Sequence, residues 1–282
     1  MKIQKSYDDK IAALYLVPTP IGNFLDMTYR AVEVLNNVDH IFCEDTRVTK
    51  VLLSHFQINT PLSNYHIFNE DVQAEEIVNL LDLGKKIALV SDAGMPAISD
   101  PGFYVANLAI EKGHKVISLP GANAALTALI ASGIPCEKFF FNGFLPSKSN
   151  KRIKQLNTLV DIKETLIFYE APHRIIETLH DMLEIMGNRE IAIARELTKK
   201  YEEYLRGNIE DILKNVVSLK GEIVIIMKGN PQSSLLQKLL ALPIEEHYKY
   251  YIEEGMDDKS AMKQVASDRN IPKNEVYSVV KK

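Results

Sequence analysis

The sequence predicts an α/β fold: two α/β domains followed by a small C-terminal helical appendage. Three observations carry this. Between residues 13 and 230, short apolar runs alternate with amphipathic stretches, the pattern of strands separated by helices. The runs are apolar without alternation, as in strands covered on both faces. Beyond Pro231 this pattern stops and the chain becomes strongly charged, first acidic and then basic.

Residues 1–12 are a polar tail. Residues 14–17 form a buried strand ended by Pro18 and Pro20. Asp26 or Thr28 caps a helix whose apolar face is Ala31, Val34, Leu35 and Val38. A strand over 40–43 and a helix over 46–56 follow. Residues 69–83 are amphipathic, and Gly84 stops them. Residues 87–90 are a strand, 103–111 a helix ending before Gly113, and 116–119 the last strand of the first domain, which spans 13–119. The second domain spans 120–230. It opens with a small-residue helix over 122–132 and the aromatic strand 139–141. Strands over 165–169, 190–194 and 222–227 follow, with helices over 174–186 and 209–217, and the sheet is expected to be mixed. Residues 231–282 are the appendage: 231–258 carry net charge −4 and 259–282 net +4. Its end predicts a helix, a turn at Asn270 and a second helix, the size of a helix-turn-helix unit.

Lys plus Arg number 33 and Asp plus Glu 37, giving a net charge of −4 over 282 residues; 46% of residues are hydrophobic. These values exclude a disordered or histone-like basic chain. A nucleic-acid partner must therefore be met by local basic patches. No apolar run approaches the ~18 residues of a membrane-spanning helix, and the N-terminus lacks a signal-peptide core. The expected location is cytoplasmic, without membrane contact. Cys43 and Cys136 suit a reducing compartment, and no Cys/His spacing suggests a metal site.

Chemistry-bearing segments fall after the strands, where sites in such folds are built. PTPIGN (18–23) follows the first strand and is neither a dinucleotide fingerprint nor a phosphate loop. VSDAGMPAISDPG (90–102) is far longer than an ordinary connection of about 4–6 residues. Its glycines allow close backbone approach to a ligand. LPGANAA (119–125) places small residues at a helix start. EDTR (44–47), YEAPHR (169–174) and ARELTKKYEE (194–203) put mixed charge at strand ends of both domains, suggesting a polar cleft between them. PSKSNKRIKQ (146–155) holds four bases and no acid, a pattern suited to phosphates as a loop or the start of a solvated helix.

Taken together and in this order, LYLVPTPIGN, EDTR, VSDAGMPAISDPG, LPGANA, FYEAPHR and ARELTKKYEE resemble the tetrapyrrole methylase superfamily over residues 14–228. The pattern is most similar to members that 2′-O-methylate the ribose of a cytidine in the decoding region of small-subunit (16S) ribosomal RNA. The resemblance implies an S-adenosyl-L-methionine-dependent methyltransferase, a homodimer, with the cofactor in a cleft between the domains. Carried over, the cofactor contacts fall on Pro20, on Asp92, Ala93, Gly94, Met95, Pro96 and Ile98, on Ala122, Asn123 and Ala124, and on Tyr169 and Ala171. Porphyrin-methylating relatives have a Gly-rich first loop and a Gly-Asp-Pro in the second, where this chain has PTPIGN and Gly94-Met95-Pro96. These departures point away from tetrapyrrole substrates.

A ribose hydroxyl is a poor nucleophile at neutral pH, so such an enzyme needs a base and tight orientation of donor and acceptor. Asp45, His66, Glu170, Glu196 and Lys199 are the candidate bases, Lys199 only if burial lowers its pKa. Arg195 is expected beside Glu196 in the catalytic cleft. Arg47, Lys148, Lys151, Arg152 and Arg174 are the expected RNA contacts. The partner is the ribosomal RNA or the assembled small subunit, its target nucleotide flipped or single-stranded. No metal is required. Two other classes stay open: a tetrapyrrole methyltransferase and an inactive RNA-binding assembly factor.

Overall fold

The computed structural model describes residues 3–6, 12–65, 70–230 and 234–281. Its first sheet is built from β1 (Ala13–Val17), β2 (His40–Cys43), β3 (Leu62–Asn64), β4 (Ile87–Val90) and β5 (Lys115–Ser118). All pair in parallel, in the order β3-β2-β4-β1-β5. Side chains alternate across the strands. Val17, Ile41, Ala88 and Val90 pack against α1 (Tyr29–Asn37) and α2 (Thr46–His55). Leu14, Phe42, Ile87 and Leu89 pack against α3 (Glu70–Asp82) and α4 (Phe103–Glu111) on the other face. Two covered faces explain the unbroken apolar runs.

After α5 (Ala124–Ala131), the second sheet comprises β6 (Phe139–Phe144), β7 (Thr165–Glu170), β8 (Glu190–Arg195), β9 (Glu203–Asn208) and β10 (Ile223–Met227), in the order β6-β7-β10-β8-β9. It is mixed: β6 and β7 are parallel, the other pairs antiparallel. One face packs on α6 (Ser149–Leu159), α7 (Ile175–Met186) and α8 (Ile209–Asn215). The other packs on α5 and on Ile21, which reaches over from the loop after β1. That contact joins the two sheets.

Two elements differ from expectation for the same reason. β3 and β9 are edge strands, half exposed and carrying Ser, Asn, Arg and Glu, so they lack an apolar run. The ARELTKKYEE segment is largely the turn of the β8–β9 hairpin, with Glu196 and Thr198 at positive φ. In the appendage, α9 (Ser234–Ala241) precedes α10 (Ile244–Glu253), α11 (Asp258–Arg269) and α12 (Lys273–Val280). The last three close on Met262, Val265, Ala266 and Val276. Asn270 ends α11 in the left-handed conformation that suits asparagine at a helix end. No described helix is long and apolar enough to cross a membrane.

Candidate functional site

β1 and β4 are neighbours at the centre of the first sheet, and their C-terminal ends carry the two loops singled out above. The loops are stitched together by their backbones. Thr19 N–H donates to the Gly94 carbonyl at 2.9 Å and Gly94 N–H donates back to Thr19 at 3.0 Å. The Thr19 hydroxyl adds a bond to the Ser91 carbonyl, and the Ser91 hydroxyl one to the Gly94 carbonyl, both 3.0 Å. Gly94 takes φ +84°, open to glycine and strained for other residues. The loop after β5 closes on the first loop so tightly that a Cβ at Gly121 would lie 2.5 Å from Pro18 Cβ.

Between these loops and the second sheet lies a cleft of about 400 Å³, within the ~300–1,000 Å³ typical of small-molecule sites. From the first half it is lined by Ile21, by Ala93, Gly94, Met95, Ile98, Ser99 and Asp100, and by Asn123 and Ala124. From the second it is lined by Phe144, by Tyr169 to Pro172, and by Gly221 to Val224. None of the described lining residues is basic.

The lining brings together Ala93, Gly94, Met95, Ile98, Asn123, Ala124, Tyr169 and Ala171 of the expected cofactor contacts. Pro20 and Pro96 are buried next to lining residues. Ala122 packs into the apolar cluster under the cleft. Asp92 turns to a separate depression shared with Glu44, Asp45, Arg47 and Asn64, where its Oδ1 accepts from the Asp45 N–H at 3.0 Å.

Residues 221–224 and Asp100 were missed. The first group leads into β10, which runs antiparallel to β7, so Ile223 sits opposite Glu170. Only that pairing brings it to the cleft. Asp100 carried a legible signal: it is the second carboxylate of the long loop. Burial, with repulsion from Glu44 and Asp92, raises its pKa to about 6.

Several expected roles do not fit the geometry. Glu170 is buried, and its oxygens are taken by Ala171 N–H at 2.7 Å, the Thr178 hydroxyl at 2.6 Å and the Arg174 guanidinium. It is a tie for the end of β7, both its oxygens engaged by the chain's own donors. Arg174, held by Glu170 and by the Leu145 carbonyl at 3.1 Å, faces inward and is no phosphate contact. Arg152 is also corrected: its side chain is 1% exposed and its Nε donates to Asp181 at 2.6 Å. Asp45 caps α2 and chelates Arg47, whose hydrogen bonds hold its pKa at about 2, too weak a base for a ribose hydroxyl.

Lys199 reaches across to the loop after β1, its stem lying where a Cβ on Gly22 would stand. Its ammonium meets Glu196 at 3.0 Å and Glu222 at 3.1 Å. Burial pulls its pKa down, but the hydrogen bonds and charges of those carboxylates outweigh this and the net shift is upward. The base role therefore fails. The hydrogen bond from Lys199 likewise lowers the pKa of Glu196, which also accepts from the Glu222 N–H at 3.1 Å. Arg195 pairs with Glu203 across the hairpin, away from the cleft lining. His66 lies outside the described residues. Lys148, Lys151 and Lys154 are exposed at the start of α6, and Arg47 is 89% exposed. Among the described residues no group of His, Cys, Asp or Glu could hold a metal ion.

Comparison with known proteins agrees with this architecture. Solved structures of uroporphyrin-III-C-methyltransferase from Thermus thermophilus (18% identity, TM-score 0.57, 77% of this chain and 94% of that one) and of diphthine synthase (12%, TM-score 0.60, 77% and 90%) share the fold. Two curated relatives are named ribosomal RNA small subunit methyltransferase I. That of Halalkalibacterium halodurans is 49% identical over 99% of both chains, and that of Bacillus subtilis 48% identical over 98% and 97%. The family profile of tetrapyrrole (corrin/porphyrin) methylases matches residues 13–213. With the cleft built from its loops and both sheets in place, the chain belongs to the tetrapyrrole (corrin/porphyrin) methylase family of methyltransferases.

Proposed function

We propose that the protein transfers a methyl group from S-adenosyl-L-methionine to the ribose 2′-oxygen of a cytidine in the decoding region of small-subunit (16S) ribosomal RNA. The observation that carries this is the full-length likeness to relatives named for small-subunit ribosomal RNA, on a chain whose cleft is lined by eight of the twelve expected cofactor contacts. The residues present fit a sulfonium donor. Small residues 93, 94 and 124 leave peptide groups open to a ligand, Ile21, Met95 and Ile223 give apolar walls, and the lining carries no basic side chain to repel a cation. When bound, the donor supplies an activated methyl group. The chain supplies orientation, exclusion of water and acceptance of the hydroxyl proton.

RNA contact is assigned to Arg47 and to Lys148 and Lys151 on the exposed rim of α6, a feature a porphyrinoid substrate does not need. In the appendage, Arg269 is tied to His247 and to the Leu239 carbonyl, and Lys281 pairs with Asp258. Exposed Lys259 and Lys263, in its basic half, are assigned as phosphate contacts. The proposal keeps domains over 13–119 and 120–230, the appendage over 231–282, a cytoplasmic location and a homodimer. Analytical ultracentrifugation tests the dimer.

Incubation with labelled methyl donor and small ribosomal subunits, followed by mapping of the modified nucleotide, tests the function. Label at one cytidine ribose is the expected result. Label on a porphyrinoid instead, or none on RNA, overturns it.

A further inference from the structure

Resting on that reading, we infer that Asp100 is the general base that takes the proton of the ribose 2′-hydroxyl. Four features of its surroundings support this. Asp100 lines the cleft together with Tyr169 and Phe144. Among the described residues it has no hydrogen bond or ion pair, whereas Asp45, Glu170 and Glu196 have their oxygens engaged. An available lone pair in the cleft is the first requirement of a base.

Its loop is held in a costly conformation. Ala97 and Ser99 adopt φ +69° and +63° without being glycines, a backbone region that side-chain-bearing residues rarely occupy. The surroundings enforce it. Ala97 N–H donates to the Pro101 carbonyl at 3.2 Å. Gly102 N–H donates to Glu70 Oε1 at 3.0 Å, and the Tyr65 hydroxyl holds that same oxygen at 3.1 Å. On the far side Ser99 Oγ lies 3.2 Å from where a Cβ on Gly143 would stand, so the loop docks on β6 of the second sheet. The strained turn thus delivers the carboxylate between the two sheets.

The charged and titratable groups facing Asp100 are Glu44 after β2, Asp92 on its own loop, Tyr169 at the end of β7, and Glu170 and Glu222 across the cleft. All are acids and none is a lining cation. Burial, with repulsion from Glu44 and Asp92, pushes the carboxyl up to about 6, so it is mostly ionised near neutrality yet far more basic than an ordinary carboxylate. In the step assigned here, the hydroxyl proton passes to Asp100 and the ribose oxygen bonds to the methyl carbon. The methyl–sulfur bond breaks with its electron pair staying on sulfur, leaving a neutral thioether. Asp100 then releases its proton to solvent.

The test compares the wild-type protein with Asp100→Asn, which keeps the shape and removes the base. Three quantities are measured: kcat for methyl transfer to small ribosomal subunits across pH, S-adenosyl-L-methionine affinity by calorimetry, and carboxyl titration by carbon-13 NMR without cofactor. The expected result is a kcat lower by ~10²–10⁴-fold, with cofactor affinity unchanged within about threefold. The acidic limb of the kcat profile and the carboxyl titrating near 6 should both vanish with the substitution. If wild type transfers methyl and Asp100→Asn matches it, the assignment is overturned while the rRNA reading stands. Loss of cofactor affinity with kcat intact at saturation makes Asp100 a cofactor ligand and equally overturns it. If wild type itself leaves small-subunit RNA unlabelled, the functional reading falls and the base assignment with it.

Discussion

Replacing Arg152 with methionine tests whether a basic residue in the middle of a basic run belongs to the interior. The guanidinium is 1% exposed and donates to Asp181 at 2.6 Å and to the Ser147 carbonyl at 3.3 Å. Methionine keeps the apolar stem and deletes the charge. Asp181, 14% exposed, would be left with the Ser149 hydroxyl at 3.1 Å as its remaining hydrogen bond among the described residues. Removing one partner of a buried pair costs about 3–5 kcal/mol; because Asp181 retains some water, the lower end applies, about 3 kcal/mol. For a chain of this size that is a fall in Tm of about 6–12 °C. The double variant Arg152→Met/Asp181→Leu should recover most of the loss, since no uncompensated charge remains. Thermal and urea melts of the four proteins give the coupling. RNA affinity against salt gives the second readout. Lys151→Ala should lower the slope by about 0.7, one single-strand phosphate, while Arg152→Met leaves it unchanged. A destabilisation below about 1 kcal/mol, together with a slope change like that of Lys151→Ala, would refute the assignment.

Gly121→Ala should destabilise the protein by about 1–3 kcal/mol and weaken cofactor binding, because the new methyl would lie 2.5 Å from Pro18 Cβ; a melt and a calorimetric titration check both. The pKa of Asp100 is raised in the fold, so as pH climbs from about 4 to 6 the unfolded chain loses this proton first and stability drains away. Asp100→Asn should therefore raise Tm more at pH 7.5 than at pH 4, and the opposite order would contradict the burial argument. His247 is buried between Asp268 (3.2 Å) and Arg269 (3.1 Å). Burial and the Arg269 charge lower its pKa. Below about pH 6.5 the unfolded chain takes up the proton first, so the appendage loses stability as pH falls. Hydrogen exchange in α10 and α11, corrected for intrinsic rates, should speed up between pH 7.5 and 5.5, and His247→Gln should flatten that trend.

Most of the fold was legible because the central strands are buried on both faces and announce themselves as apolar runs. The run 40–43 and the helix 103–111 coincide with the observed elements. The edge strands were hidden by their polarity. The loops of the cleft were legible from their length and glycine content. What they exclude was not: Arg152 is interior because Asp181, 29 residues away, waits for it. Glu170 has the composition of a catalytic acid, yet Arg174 just before the next helix and Thr178 on it consume its oxygens. Residues 221–224 reach the cleft only through an antiparallel pairing that no local pattern encodes.

The stitch between Thr19 and Gly94 has a bearing on how this architecture diverges. Its reciprocal bonds are made by peptide groups, which every residue but proline can supply as donor and acceptor, with φ +84° reserving position 94 for glycine and the Thr19 and Ser91 hydroxyls adding to the tie. Side chains elsewhere around the cleft are thereby released from the duty of shaping its floor. Mutational drift can then replace what the cleft accommodates while the frame persists, in keeping with two solved relatives that share the fold at only 12% and 18% identity. A library that randomises the lining of the second sheet and spares this pair of loops is the natural starting point for redirecting the enzyme to new acceptors.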